Sequence, residues 1–242
     1  HSPVTAARTF PILASSDGAS RTSAIRWDSA SASASPKPRV VMAGEPMRTD
    51  AELYLAFDVS RSMLATDAPG GRTRLDRAVA LAQRLHRSLR EIPTGVATVT
   101  NRMMPLLFPI ADGRGVAAVL DRGVAIGQPA PSRLTTPRAT QLGAISLAAH
   151  RTYFSRSART RALVVLSDLD TDEFGLDGTL TTLRRARIEP YVVRVARPGE
   201  RIFDAQGRPE PYRSTSTLAV SRLRSAGWHA YEETELDRLV ED

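Results

Sequence analysis

The sequence of 242 residues contains no cysteine, which excludes a disulfide framework, a thiolate metal site and a cysteine nucleophile. Lysine is almost as scarce, since of 33 basic residues only Lys37 is a lysine. A phosphate loop of the G-x-x-x-x-G-K type, a Schiff-base lysine or a lysine-dependent phosphotransfer site would each have to use that one residue, which sits in a Ser/Pro-rich stretch. Aromatics make up only 5%, and the arginines behind the net charge of +7 are scattered singly. That pattern describes a solvated basic surface and not a nucleic-acid footprint. No run approaches the roughly 20 consecutive apolar residues of a membrane-spanning helix. Nor does an apolar run of about 7 to 15 residues precede a cleavage-like site, as a secretory signal would require. What is present is ordinary: 42% hydrophobic and 24% charged residues, enough to build a sizeable core.

Composition divides the chain. Residues 1–48 carry Ser, Ala, Pro and Arg with little periodicity and include the run Ser29 to Pro36, which reads as a linker; Arg39 to Met42 suggests a short edge strand. Residues 49–242 form the expected domain. Glu52 to Phe57 is a short apolar run ending at Asp58, and Arg161 to Asp168 is a longer one, again ending on an aspartate. Both have the character of buried parallel strands. Gly95 to Thr100 and Met103 to Ile110 flank Asn101-Arg102 as a hairpin would. Further strands are expected at Pro190 to Ala196 and Trp228 to Tyr231. Helical spacing covers Leu75 to Leu89, Val116 to Val124, Leu142 to Tyr153, Leu176 to Ala186, Thr215 to Ala226 and a last segment from Glu233. Residues 197–214 read as a loop insertion. Strands alternating with helices predict an α/β fold, a doubly wound and mainly parallel sheet flanked by helices with one antiparallel edge strand. Such sheets carry their sites at the carboxyl ends of the strands.

The most informative segment is Asp58-Val59-Ser60-Arg61-Ser62. A D-x-S-x-S sequence leaving a buried strand sets one carboxylate and two hydroxyls on alternate residues of a turning loop, where hard oxygens can converge on magnesium, manganese or calcium. The same residues also suit a plain capping or turn-forming cluster, because Ser and Asp satisfy free backbone N–H groups. Here the sequence resembles a von Willebrand factor type A domain over Thr49 to Asp242. Phe57 to Met63 matches the first loop of its metal-ion-dependent adhesion site, and Met63 to Asp67 with Arg74 to Ala78 is similar to bacterial members related to aerotolerance-type membrane proteins. Arg138 to Ala144 matches the second loop, and Leu166-Ser167-Asp168 the third. The resemblance thus implies a metal site of Asp58, Ser60, Ser62, Thr140 and Asp168. Thr140 alone would also serve as a helix cap.

The sequence departs from the family pattern in two loops. Gln141 stands where an acidic residue is common, and Ser167-Asp168-Leu169 stands where the third loop commonly reads T-D-G. The resemblance implies a non-catalytic binding module whose divalent cation, magnesium first, accepts a carboxylate from a protein partner. Similar bacterial domains are often membrane-tethered and work with AAA-type ATPases, so membrane association is implied by analogy alone. The alternative is a magnesium-dependent phosphatase of the haloacid-dehalogenase type, suggested by Asp168-Leu169-Asp170-Thr171-Asp172, with Asp168 as nucleophile and Asp170 as acid/base. That chemistry wants a downstream lysine, and none follows Lys37. Outside that alternative, Asp170, Asp172 and Glu173 read as a solvated acidic loop; His86, on the flank of an amphipathic helix, and His150 and His229, without spaced partners, read as structural.

Overall fold

Along the central strands alternate side chains point to opposite faces, and each set packs against its own layer of helices. The computed structural model describes residues 47–127, 140–150, 152–211 and 218–241; the linker-like Ser29 to Pro36 and the expected strand at Arg39 to Met42 lie outside them. Six strands form one sheet: β1 (Ala51–Asp58), β2 (Thr94–Val99), β3 (Met103–Ile110), β4 (Thr160–Ser167), β5 (Ile188–Arg194) and β6 (His229–Glu232). Their order is β3-β2-β1-β4-β5-β6. Only β2 and β3 pair antiparallel, through the hairpin at Asn101-Arg102; β1 with β2, β1 with β4, β4 with β5 and β5 with β6 are parallel. The α/β class, the parallel sheet and the antiparallel edge strand are therefore as the sequence predicts.

Leu53, Leu55 and Phe57 of β1, with Val164 and Leu166 of β4, face α1 (Arg74–Ser88), α2 (Gly113–Arg122) and α5 (Leu236–Glu241). Tyr54 and Ala56, with Leu163 and Val165, face α3 (Leu176–Arg185), α4 (Val220–Ser225) and the short helix at Leu142–Ala149. Each large buried aliphatic or aromatic side chain contributes about 1.5–3 kcal/mol relative to exposure. Helix α1 starts at a capping box, in which Thr73 and Asp76 satisfy each other's backbone N–H groups.

The segment Leu142 to Tyr153 is not the regular α-helix its composition suggests. Leu142–Ala149 is a 3-10 helix, and Ser146 donates back to the Gly143 carbonyl at 2.8 Å. Its sequence is apolar all round, so no amphipathic period favours 3.6 residues per turn over the tighter winding. The helix expected over Thr215 to Ala226 is observed as Val220–Ser225, residues 212–217 lying outside the described set. The last helix begins at Leu236, after a turn in which Glu235 N–H donates to the Glu232 carbonyl at 2.9 Å.

The strand order fixes where a site can form. From β1 the chain moves to β2 and β3 on one side, then returns to place β4, β5 and β6 on the other. Adjacent β1 and β4 thus bound the crevice where the winding reverses, the favoured ligand position in open α/β sheets. Asp58 is the last residue of β1, and Asp168 directly follows β4. Both aspartates stand at the same carboxyl edge.

Candidate functional site

Asp58 is fully buried, and every partner that holds it is neutral. Its Oδ1 accepts from the Ser60 backbone N–H at 2.9 Å and from the Thr140 hydroxyl at 2.8 Å. Its Oδ2 accepts from the Ser167 hydroxyl at 2.7 Å. Among the described residues no cationic side chain pairs with it. Burial, and then the nearby charge of Asp168, raise the pKa of Asp58 to about 6, against the hydrogen bonds from Ser167 and Ser60.

The first loop leaves β1 as a turn tied by that Ser60 N–H, then tightens into a 3-10 turn at Arg61–Leu64. The hydroxyls of Ser60 and Ser62 lie 2.9 Å apart. Thr140 is held from behind: the Thr171 hydroxyl donates to its carbonyl at 2.6 Å and accepts from the Leu142 N–H at 3.0 Å. Thr140 and Thr171 also form a parallel bridge. The second and third loops are thereby fastened together beside the end of β1.

The third loop is shaped by strain. Leu169 has φ +64, a left-handed conformation that glycine adopts freely and a leucine adopts at a cost of about 1–2 kcal/mol. The backbone at Leu169 thus takes a turn of the kind glycine favours, although the residue is a leucine. The buried Leu169 side chain belongs to the apolar cluster on the α3 face, and its N–H donates to the Ser167 hydroxyl at 3.0 Å. Asp168 Oδ1 accepts from the Asp170 N–H at 3.0 Å.

Three residues here have roles that the sequence motifs containing them do not assign. Ser167 and Thr171 support Asp58 and Thr140 as just described. The third is Arg74, whose Nη1 donates to Asp168 Oδ2 at 2.6 Å. Its Nε donates to Glu200 Oε2 at 2.7 Å. A chain of alternating charge continues from there: Arg77 Nη2 lies 2.7 Å from Glu200 Oε1, and Arg77 Nε lies 2.9 Å from Oε2 of Glu233, whose Oε1 pairs with Arg197. Burial acts to raise the pKa of Glu233, but Arg77 and Arg197 more than offset it and hold the carboxyl below its ordinary value. The described part of the β5–α4 connection crosses the first loop through a bridge between Thr66 and Arg201. It is also joined to that loop by an Arg61 to Glu210 ion pair at 2.5 Å.

The histidines lie apart from this arrangement. His86 contacts Thr94 at 3.3 Å, and His229 stacks on Tyr191; neither is a hydrogen-bond partner of the five loop residues. Asp170 is buried, whereas Asp172 and Glu173 are exposed. Among the described residues no group of three or more His, Asp or Glu is placed to hold a metal ion. The oxygens gathered at Asp58 are mainly hydroxyls.

Compared by sequence, the chain matches no family model and no curated protein. Compared by structure, it is similar to an aerotolerance-related membrane protein from Bacteroides fragilis NCTC 9343 carrying multiple mutations to serine. The TM-score is 0.58 at 20% identity, over 79% of this chain and 98% of that one. It is likewise similar to the conserved hypothetical protein BatB from Bacteroides thetaiotaomicron, with TM-score 0.59 at 20% identity, over 79% of this chain and 96% of that one. Proximal thread matrix protein 1 from the mussel byssus aligns with a TM-score of 0.52 at 11% identity, over 82% of this chain and 48% of that one. Together with the six-stranded sheet and its single antiparallel pair, these likenesses show that the domain has a von Willebrand factor type A-like fold.

Proposed function

We propose that the domain is a divalent-metal-dependent protein-binding module with no catalysis of its own. In this reading Asp58, Ser60, Ser62, Thr140 and Asp168 hold the ion, and the ion accepts a carboxylate from a partner protein. The observation that supports it best is the state of Asp58, a buried carboxylate without a counter-cation at the switch point of the sheet. An isolated buried anion is costly. A divalent cation would supply the missing charge, and hydroxyl and carboxylate oxygens are the donors that magnesium, manganese and calcium prefer.

The donor set fits such an ion, and it also fits binding to an acidic partner. Three of the five side chains are neutral hydroxyls, and one carboxylate, Asp168, is shared with Arg74. An ion held there keeps part of its positive charge for an incoming anionic oxygen. The phosphatase alternative draws no support from this arrangement. Asp168, the nucleophile in that scheme, has Oδ2 engaged by Arg74 and Oδ1 by the Asp170 N–H, and the chain supplies no lysine after Lys37.

We further propose, by analogy with an aerotolerance-related membrane protein of similar fold, that the module works in a membrane-associated assembly, with a AAA-type ATPase among the partners to test. Among the described residues no helix is long and apolar enough to cross a membrane. The test is capture of cross-linked partners from the native host in magnesium, in chelator, and with Asp58→Ala. Chelator and Asp58→Ala should abolish the same partner bands, with no further loss when combined. Bands that persist in both but vanish at moderate salt would assign recognition to the basic surface instead, whose attraction is screened within about 10 Å at 0.1 M ionic strength.

A further inference from the structure

We propose that Arg74 is a built-in cation that competes with the metal for Asp168, and that Glu200, by sharing Arg74, sets how strongly the ion is held. The inference rests on the metal-site reading above. Its basis is the placement of one guanidinium between two carboxylates: Nη1 lies 2.6 Å from Asp168 Oδ2 and Nε lies 2.7 Å from Glu200 Oε2. Both carboxylates are 1% exposed and Arg74 is 12% exposed, so solvent screens these pairs little.

An ion that uses Asp168 therefore draws on a carboxylate already engaged by a positive charge. It gains less from Asp168 than from a free aspartate, and it is repelled by the guanidinium. Glu200 acts in the opposite sense, because its charge draws Arg74 away from Asp168. The rigid fork of arginine lets one side chain serve both acids at once. Glu200 is in turn fixed by Arg77 and by the backbone N–H of Arg197, which donates to Oε2 at 3.0 Å. The same segment is bridged to the first loop through Arg201 and Thr66. Metal occupancy is thereby linked to the β5–α4 connection through Glu200, which reaches the candidate ligand Asp168 only by way of Arg74.

Titration of Mn2+ into the chelator-treated full chain, followed by calorimetry, tests this with variants that move affinity in opposite directions. Glu200→Gln leaves Arg74 committed to Asp168 and should weaken Mn2+ binding about tenfold, the lower end of what outer partners of ligands contribute. Arg74→Gln frees Asp168 and should strengthen binding by a similar factor. Arg74→Gln/Glu200→Gln removes a matched pair of buried charges, so it keeps the fold if either single variant loses it, and it too should bind more tightly than the parent. A merely structural role for Arg74 would give losses in all three. Equal affinities, or shifts of one sign throughout, overturn the role of Arg74. A parent chain that takes up no Mn2+ overturns the metal site itself and this inference with it.

Discussion

Replacing Asp58 by asparagine should stabilise the metal-free domain at neutral pH, the reverse of the usual effect of altering a fully buried, hydrogen-bonded side chain. The Asp58 pKa is raised from 3.8 to about 6 by burial and by Asp168. Below both values the folded and unfolded chains are protonated alike. Between them the unfolded chain loses its proton first, so stability falls as pH rises through this window, and the full penalty applies above about 6. A shift of that size corresponds to about 3 kcal/mol. Asparagine keeps one acceptor for the Ser60 N–H and the Thr140 hydroxyl. Its amide must donate to Ser167, whose hydroxyl already accepts from Leu169. Loss of the Ser167 donation offsets about 1 kcal/mol. The net gain is about 2 kcal/mol at pH 7.5, or roughly 4–8 °C in Tm for a domain of this size, and near pH 4, where little of the penalty remains, it turns into a loss of about 0.5 kcal/mol. Urea unfolding in chelator at the two pH values measures it. An Asp58→Asn variant that is less stable than the parent at both, or whose difference does not change with pH, would refute the reasoning.

Other positions give independent checks. The Tyr54 hydroxyl is buried with no hydrogen-bond partner, and the ring itself packs edge-on against Phe154 at 5.3 Å. Tyr54→Phe should therefore match the parent or exceed it by up to about 1 kcal/mol in urea unfolding, and a loss larger than that would reveal a partner for the hydroxyl. At Leu169 the left-handed backbone should invert the normal preference for alanine over glycine. Leu169→Gly and Leu169→Ala both lose a buried side chain, but the glycine variant should be the more stable by about 1 kcal/mol. Equal stabilities would show that the turn relaxes once the leucine is gone.

What the sequence discloses and what it conceals follow from the range of each interaction. The strands ending in Asp58 and Asp168 are legible because apolar runs stop abruptly at a charge, and parallel pairing then brings their ends to one edge. The D-x-S-x-S spacing and the threonine of the second loop are local patterns, and local patterns survive in one dimension. Arg74 is different. On paper it is one polar residue at the start of an amphipathic helix, and its partners Asp168 and Glu200 lie 94 and 126 positions away. No periodicity reports such a contact. Ser167 was legible only as a departure from T-D-G, although its hydroxyl meets Asp58 directly. Thr171 lies hidden in an acidic stretch that reads as solvated loop, while its hydroxyl ties Thr140 in place. The Leu142–Ala149 helix fails for another reason: a uniformly apolar segment carries no phase, so its winding is set by the loops it joins.

The central claim is that the oxygens gathered at the ends of β1 and β4 hold a divalent ion. Calorimetric titration of Mg2+ and Mn2+ into the full chain after chelation, beside Asp58→Ala and Thr140→Val, tests it most directly. One ion per chain is expected for the parent. No measurable uptake is expected for Asp58→Ala, and affinity weaker by roughly 10-fold or more for Thr140→Val. A parent that binds neither ion at millimolar concentration, or an Asp58→Ala variant that binds as the parent does, would contradict it.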